Sequence, residues 1–174
     1  MKRYKIGFFL GIFSIMLSYR YVADKRVTLI FFAVFFSLPY IWHPMKKFRK
    51  KKKYLKSSLC KIDKMSGEEF ELYLQAHFQK KGYYAKHVGQ TGDYGADLIL
   101  YGKRRRKTVV QAKRYNNSVG IKAIQEVISA KAYYDCRDAM VVTNSRFTHA
   151  AKELARKANV ELWDRDRIRL EFHA

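Results

Sequence analysis

Two apolar runs without a charged residue stand near the start of the chain, and they limit what this part of it can fold into. They are Ile6–Tyr19 and Val27–Trp42. Each is shorter than the roughly 20 residues that cross a bilayer as a helix, but Arg20 can reach the headgroups, and tyrosine and tryptophan stand at the ends of the runs. We therefore predict a transmembrane α-hairpin over residues 1–42. A signal peptide, a buried helix pair and an interfacial or re-entrant hairpin are the alternatives.

The distribution of charge orients this hairpin and predicts an anionic partner. The net charge is +21, with 14 Lys and Arg against one Asp in residues 1–58 and 22 basic against 14 acidic residues in 59–174. Basic residues flank the apolar runs at Lys2–Lys5 and Lys46–Lys53, which predicts a multi-pass protein of the cell membrane with both ends in the cytoplasm. Residues 43–62 are predicted to be a basic linker that contacts anionic lipid, and direct contact with nucleic acid is the alternative. This excess of positive charge excludes an ordinary neutral enzyme and predicts a nucleic acid or a membrane surface as partner.

Residues 63–174 have the pattern of one α/β domain. Ser66 and Glu69 form a capping box in front of a helix whose apolar residues recur at helical spacing until Gly82. Short apolar segments and a further helical pattern then predict the order αβββαβαβ. The predicted strands are 83–88, 97–101, 108–113, 139–143 and 160–163, and the later helices are 121–135 and 148–159.

Polar residues on the strand over 108–113 are the first sign of a functional site. Side chains alternate along a strand, so Gln111 and Lys113 share one face of an otherwise apolar segment. Asp97 stands at the start of the preceding strand of the same predicted hairpin. If the sequence numbers of two facing residues in this hairpin add up to an even number, Asp97 lies on the same face as Gln111 and Lys113. If they add up to an odd number, Asp97 lies on the other face. The structural alternatives are a turn residue at Asp97, a satisfied buried amide at Gln111 and a solvated lysine at the sheet edge.

These side chains are suited to the hydrolysis of a phosphodiester bond. The carboxylate of Asp97 and the amide oxygen of Gln111 are ligands of the kind that Mg²⁺ prefers, and the backbone carbonyl of Ala112 is a further one. Lys113 can orient the attacking water and offset the charge of a phosphate. Glu71, on the first helix, can add a carboxylate, although the helix dipole also explains an acidic residue near a helix start.

The same residues carry a resemblance to a known family. The motifs are Phe70-Glu71, Gly92-Asp-Tyr-Gly-Ala-Asp97, Val110-Gln-Ala-Lys113 and Val141-Val-Thr143. In order and spacing, residues 64–168 resemble the Mrr-type restriction endonuclease family of the PD-(D/E)XK nuclease superfamily. The resemblance implies an α/β fold with a restriction-endonuclease-like αβββαβ core around a central mixed sheet, and a Mg²⁺-dependent endodeoxyribonuclease.

The resemblance also assigns roles by position. Asp97, Gln111 and Lys113 match the catalytic D…QxK set, with Asp97 and Gln111 as the metal ligands, and Glu71 matches the carboxylate on the first helix. Gln111 departs from the acidic residue of the wider superfamily, although the Mrr branch usually has glutamine there. Because this removes one negative charge from the metal site, we expect weaker binding of Mg²⁺.

Five consecutive cations at the predicted hairpin turn are expected to lie beside this site and to contact DNA. They are Lys103, Arg104, Arg105, Arg106 and Lys107. With Arg114, they are predicted to bind phosphates without reading the sequence of the duplex. A solvated hairpin tip is the structural alternative.

Two functions follow for the whole chain. The first is a membrane-tethered endodeoxyribonuclease that hydrolyses DNA as part of DNA restriction. If it cuts both strands, it would act as a homodimer. The alternative is a catalytically silent nuclease-fold module that tethers DNA at the membrane. A third possibility makes anionic lipid or RNA the partner of the basic domain.

Overall fold

The structure, a computed structural model, describes residues 51–55, 57–88, 94–102 and 106–173. The chain divides into two compact units, Met1–Lys50 and Lys51–Ala174, and the first of these lies outside the described residues. The hairpin predicted over residues 1–42 therefore falls outside the part that the structure describes.

The second unit is built around a five-stranded sheet. Its elements are α1 (Leu59–Ile62), α2 (Gly67–Lys80), β1 (Tyr84–His87), β2 (Leu98–Tyr101), β3 (Lys107–Lys113), α3 (Ile121–Tyr133), β4 (Asp138–Thr143), α4 (His149–Lys157), β5 (Val160–Trp163) and α5 (Arg165–His173). The strands lie in the order β1-β2-β3-β4-β5. β2 pairs antiparallel with β1 and β3, while β4 pairs parallel with β3 and β5. The predicted mixed sheet is thus confirmed.

The sheet separates two apolar cores, because successive side chains of a strand point to opposite faces. On one face, Leu98 and Val110 lie in a buried cluster with residues of α2 and α5. On the other face, Ile99 and Val109 lie in a cluster with residues of α3 and α4. Gln111 follows Val109 by two residues, so its side chain belongs to the face on which α3 packs.

The longest described helix, α2, begins at the capping box predicted from the sequence. The Ser66 side chain accepts a hydrogen bond from the backbone nitrogen of Glu69 at 3.2 Å, and the Glu69 carboxylate accepts one from the backbone nitrogen of Ser66 at 3.1 Å. Each bond satisfies a backbone donor that the start of a helix leaves without an intrahelical partner. The chain leaves the helix at Gly82, whose φ of 91° is a conformation that suits glycine.

The segment in front of α2 packs on the domain. Residues 51–55 are helical, and Tyr54 and Ile62 are buried in the same apolar cluster as α2 and α5. The compact unit begins at Lys51. The described part of the predicted linker, residues 43–62, therefore contributes side chains to the core of the domain.

The predicted localisation, a multi-pass protein of the cell membrane, is corrected by the structure. Among the residues that the structure describes, no helix is long and apolar enough to cross a membrane. α2, the longest, has 14 residues, whereas a bilayer requires about 20. The prediction was based on the runs at 6–19 and 27–42, which lie outside the described residues, so no described helix supports it.

Candidate active site

The four predicted catalytic side chains line one pocket. Asp97 precedes β2, Gln111 and Lys113 lie at the end of β3, and Glu71 lies on α2. The pocket has a volume of about 400 Å³ and is open to solvent at the end of the sheet where β3 stops. The structure therefore brings together residues that are up to 42 positions apart in the sequence.

The pairing of β2 with β3 has the even register that the sequence analysis required. Leu98 pairs with Val110, and continuing this pairing by one residue places Asp97 opposite Gln111. The backbone nitrogen of Asp97 donates to the carbonyl of Val110 at 3.0 Å, which is one residue out of this register, and it is the side-chain contact described below that places Asp97 beside Gln111. Asp97, Gln111 and Lys113 consequently share one face of the sheet.

Asp97 and Gln111 are in direct contact. The Asp97 carboxylate oxygen Oδ2 accepts a hydrogen bond from Gln111 Nε2 at 2.5 Å and another from the backbone nitrogen of Ala112 at 2.6 Å. Asp97 and Gln111 are both buried, and each has 5% of its surface exposed. The other amide atom, Gln111 Oε1, is buried and has no hydrogen-bond partner among the described residues. A buried amide oxygen in this state is unusual, and it is a ready ligand for a cation.

Lys113 forms an ion pair that the sequence analysis missed. Its Nζ lies 2.7 Å from the Oε2 atom of Glu126 on α3, and Glu126 also lines the pocket. The available signal was that Glu126 is the single acidic residue of this helix. Its partner could not be identified before the packing of α3 on the face that carries Lys113 was known.

Glu71 reaches the pocket from the other face of the sheet, where α2 packs. Its Oε2 atom lies 2.6 Å from Nε2 of His87 on β1. The sequence analysis did not pair Glu71 with His87. The carboxylate predicted as part of the catalytic set is therefore held by a histidine at the edge of the pocket.

The described members of the predicted DNA-binding set are divided between two places, and the expectation that the basic turn lies beside the site is wrong for Arg106 and Lys107. The turn joins β2 to β3 at the end of the hairpin that is distant from Asp97, because the site lies at its open end. Lys107 and Lys113 are six positions apart along β3, which is roughly 20 Å. Lys103, Arg104 and Arg105 lie outside the described residues. Arg114, in contrast, lines the pocket.

The described cations of this group already have protein partners. Arg106 binds both carboxylate oxygens of Asp138 at 2.5 and 3.0 Å, and this hydrogen bonding raises the pKa of Arg106 and lowers that of Asp138. Lys107 donates to the carbonyl of Tyr134. Arg114 Nη1 donates to the carbonyl of Asp63 at 3.2 Å.

Comparison with known proteins identifies the family. A protein family described as restriction endonuclease, Mrr_cat, matches residues 62–170, which is more than half of the chain. The chain belongs to this Mrr family of restriction endonucleases. The predicted class of enzyme, an endodeoxyribonuclease, is confirmed at the level of the family. No curated protein matches the chain.

Several solved structures are similar to parts of the Mrr-family chain. The DNA modification-dependent restriction endonuclease AspBHI is 19% identical with a TM-score of 0.47, and the match covers 69% of this chain and 34% of that one. The protein of unknown function AF1548 is 14% identical with a TM-score of 0.46, and the match covers 52% of this chain and 54% of that one. EndoMS in complex with double-stranded DNA is 16% identical with a TM-score of 0.42, and the match covers 57% of this chain and 45% of that one. The chain thus spans about half or less of the length of these structures.

The residues of the Mrr-family site fit a divalent cation in the kind of donors that they offer. Asp97 supplies a carboxylate, Gln111 supplies a buried oxygen without a hydrogen-bond partner, and the carbonyl of Ala112 adjoins them. Oxygen ligands of this kind suit Mg²⁺. Within the described ranges, no group of three or more His, Cys, Asp and Glu side chains is placed to hold a metal ion. Glu71 and Glu126 line the same pocket as Asp97 but do not form such a group with it.

Proposed function

We propose that this Mrr-family chain hydrolyses DNA phosphodiester bonds in a Mg²⁺-dependent reaction at the pocket formed by Asp97, Gln111 and Lys113. One observation carries the proposal. Asp97 holds the amide nitrogen of Gln111 at 2.5 Å, which leaves the amide oxygen buried and without a hydrogen-bond partner among the described residues. Two oxygen donors and one ammonium group are thereby held in a single pocket that is open to solvent.

Asp97 and Gln111 would hold the cation. The Asp97 carboxylate contributes negative charge, and the Gln111 amide contributes a neutral oxygen whose direction is set by its bond to Asp97. Held by these two residues, Mg²⁺ would supply positive charge at the scissile phosphate and would activate water for attack. Because residue 111 is neutral, the affinity for Mg²⁺ should be lower than at a site with a second carboxylate.

Lys113 would bind an oxygen of the scissile phosphate or orient the attacking water. Its ammonium group carries three donors and lies 2.7 Å from the Oε2 atom of Glu126 in an ion pair. These donors lie at the pocket that Lys113 lines. Glu71, on the rim and paired with His87, would act on the bound water or the cation from the opposite side of the sheet.

DNA would be bound through its phosphates at two places, one at the pocket and one at the far end of the hairpin. Arg114 lies at the pocket itself, while Arg106, whose side chain is 61% exposed, lies at the far end of the hairpin. Contacts so far apart would track the backbone of one duplex without reading its bases. Because one such site cuts one strand, cleavage of both strands calls for a second copy of the chain, and we infer a homodimer for that reaction.

The alternative is a nuclease fold that binds DNA and does not cut it. It is favoured by the neutral amide at Gln111 and by the lack, among the described residues, of a cluster of acidic ligands. This function uses the same basic residues but leaves the pocket without a role in chemistry.

A plasmid assay with the full chain separates the two functions. Supercoiled DNA is incubated with the protein in MgCl₂ or EDTA, and nicked and linear products are counted. We expect Mg²⁺-dependent nicking that is abolished in Asp97→Asn and Lys113→Gln and retained in Lys152→Gln, a change at an exposed lysine of α4. Salt-sensitive DNA binding without products in Mg²⁺, Mn²⁺ or Co²⁺ would instead support the binding module. Full activity of Asp97→Asn would exclude this pocket as the site.

A further inference from the structure

Glu126 is tied to the pocket by its side chain. Its Oε2 atom lies 2.7 Å from Lys113 Nζ, and the two side chains are 28% and 20% exposed. The Oε2 atom of Glu126 is itself buried and forms no hydrogen bond of normal geometry with the described residues, and ion pairs of partly exposed side chains contribute little to stability. Its placement at the pocket is therefore better explained by what it does to the lysine than by what it adds to the fold.

The main chain of Glu126 is also in close contact with the site. A Cβ atom placed on Gly95 would lie 2.8 Å from the carbonyl oxygen of Glu126 and 3.0 Å from its Cβ atom. Gly95 has a φ of 83° and stands two residues before Asp97. α3 therefore lies so close to the segment before β2 that a residue with a side chain would not fit at position 95. Glu126 thus contacts the segment before β2 through its main chain and Lys113 through its side chain.

We propose that Glu126 is a positioning residue that holds the ammonium group of Lys113 at the pocket, an inference that rests on the function proposed above. A lysine side chain has four flexible carbons and loses considerable rotamer freedom when its amine is held in one place. The carboxylate of Glu126 selects one placement before DNA binds. The conformational entropy of Lys113 is then lost when the protein folds and not when DNA binds. The other donors of its ammonium group are left to contact the substrate.

Glu126 acts through Lys113 and not on a metal ion. Among the described residues, no set of three or more acidic, histidine or cysteine side chains is arranged to hold a metal, although Glu126 and Asp97 line the same pocket. A carboxylate that touched the cation would strengthen Mg²⁺ binding. One that only positions the lysine would leave the Mg²⁺ requirement unchanged and alter the rate of the chemical step.

The test compares three variants of the full chain. Glu126→Gln retains an acceptor without charge, and Glu126→Ala removes the acceptor while providing the residue with the highest helix propensity. Glu171→Gln is the matched control, because Glu171 also pairs with a lysine, Lys81, and is similarly exposed at 22%. Each protein is labelled briefly with acetic anhydride, and acetylation of Lys113 is measured by mass spectrometry against exposed Lys152 in the same sample. Cleavage is then measured in MgCl₂ over a range of DNA concentrations.

We expect acetylation of Lys113 relative to Lys152 to rise about twofold to fivefold in Glu126→Ala, the factor that corresponds to losing a partly exposed ion pair. The value of kcat should fall about 10- to 100-fold in Glu126→Ala and less in Glu126→Gln, with KM and the half-saturating Mg²⁺ concentration unchanged. Glu171→Gln should match the wild type in both measurements.

Unchanged acetylation of Lys113 in Glu126→Ala would overturn the inference, as would a loss of activity that appears in KM or in the Mg²⁺ requirement. A wild-type chain that fails to cleave DNA with any divalent cation would overturn the proposed function and with it the catalytic role of this pair. The acetylation ratio would then still decide whether Glu126 holds Lys113.

Discussion

Gln111 Nε2 lies 2.5 Å from Asp97 Oδ2, in a hydrogen bond between two residues that are each 5% exposed. A carboxylate can only accept, whereas an amide presents a donor on one side and an acceptor on the other. Asp97 therefore determines the orientation of the amide, and Gln111 Oε1 is the atom that is left buried without a hydrogen-bond partner among the described residues. A glutamate at this position would bring two carboxylates together at the same distance.

Replacing Gln111 by glutamate should make the stability of the protein dependent on Mg²⁺. Without a divalent cation, loss of a hydrogen bond to a charged group and repulsion between two buried carboxylates should lower the free energy of unfolding by about 2 kcal/mol or more. With Mg²⁺ the second carboxylate becomes a ligand, so the melting temperature should rise more steeply with MgCl₂ than it does in the wild type. Thermal melts in EDTA and in increasing MgCl₂ measure both effects.

The control for this experiment is Gln111→Met, which keeps the length of the side chain and has neither a charge nor an amide. It should be destabilised and should gain little from MgCl₂. If the glutamate and methionine variants respond equally to MgCl₂, position 111 does not face a bound cation.

Two substitutions of Asp97 should separate its structural role from its chemical one. Asp97→Ala leaves Gln111 Nε2 and the backbone nitrogen of Ala112 buried without their acceptor, at about 1–3 kcal/mol for each. Asp97→Asn retains an oxygen at that place and should unfold at a urea concentration close to that of the wild type. Cleavage should be lost in both variants. Equal destabilisation of the two, measured by urea denaturation, would mean that the negative charge and not the acceptor holds this end of the hairpin.

The sheet and the central part of the site could be predicted because they depend on local patterns. The alternation of β3 places Gln111 and Lys113 on one face, and the short connection from β2 makes an antiparallel hairpin the simplest arrangement. The cap at Ser66 is likewise a local signal, and the structure has it. These predictions required no knowledge of how helices pack.

The remaining features depend on contacts between distant segments. Glu126 meets Lys113, and His87 meets Glu71, only after α3 and α2 have packed on opposite faces of the sheet. Arg106 and Lys107 are close to Asp97 in sequence but lie far from it in space, because both strands of the hairpin run away from its open end. Asp63 belongs to the same class, since its partner Arg165 is 102 residues away.

Gly95→Ala should disturb the site through α3. A left-handed backbone conformation costs a residue with a side chain about 1–2 kcal/mol, and the added Cβ would lie 2.8 Å from the main-chain oxygen of Glu126. The helix must then move away, which also lengthens the contact between Glu126 and Lys113. We expect a lower melting temperature together with a reduced cleavage rate. Gly67→Ala is the control, because no atom lies within 4 Å of a Cβ at that position, and it should be neutral or slightly stabilising.

The ion pair between Asp63 and Arg165 should make stability depend on acidic pH. Arg165 donates hydrogen bonds of 2.5 and 2.9 Å to the carboxylate, and these bonds, opposed in part by burial and aided by Asn144, hold the pKa of Asp63 below its ordinary value of 3.8. A lowered pKa in the folded state contributes stability above 3.8, and this contribution is lost as the pH falls through the lowered value. The side chains are 37% and 40% exposed, so solvent screening keeps the effect modest. Wild type should therefore melt above Asp63→Asn at pH 7, with the difference shrinking below pH 3.8. Asp166→Asn, at a carboxylate that is 67% exposed, should show no such trend, and a difference for Asp63→Asn that persists unchanged to pH 2 would contradict the linkage.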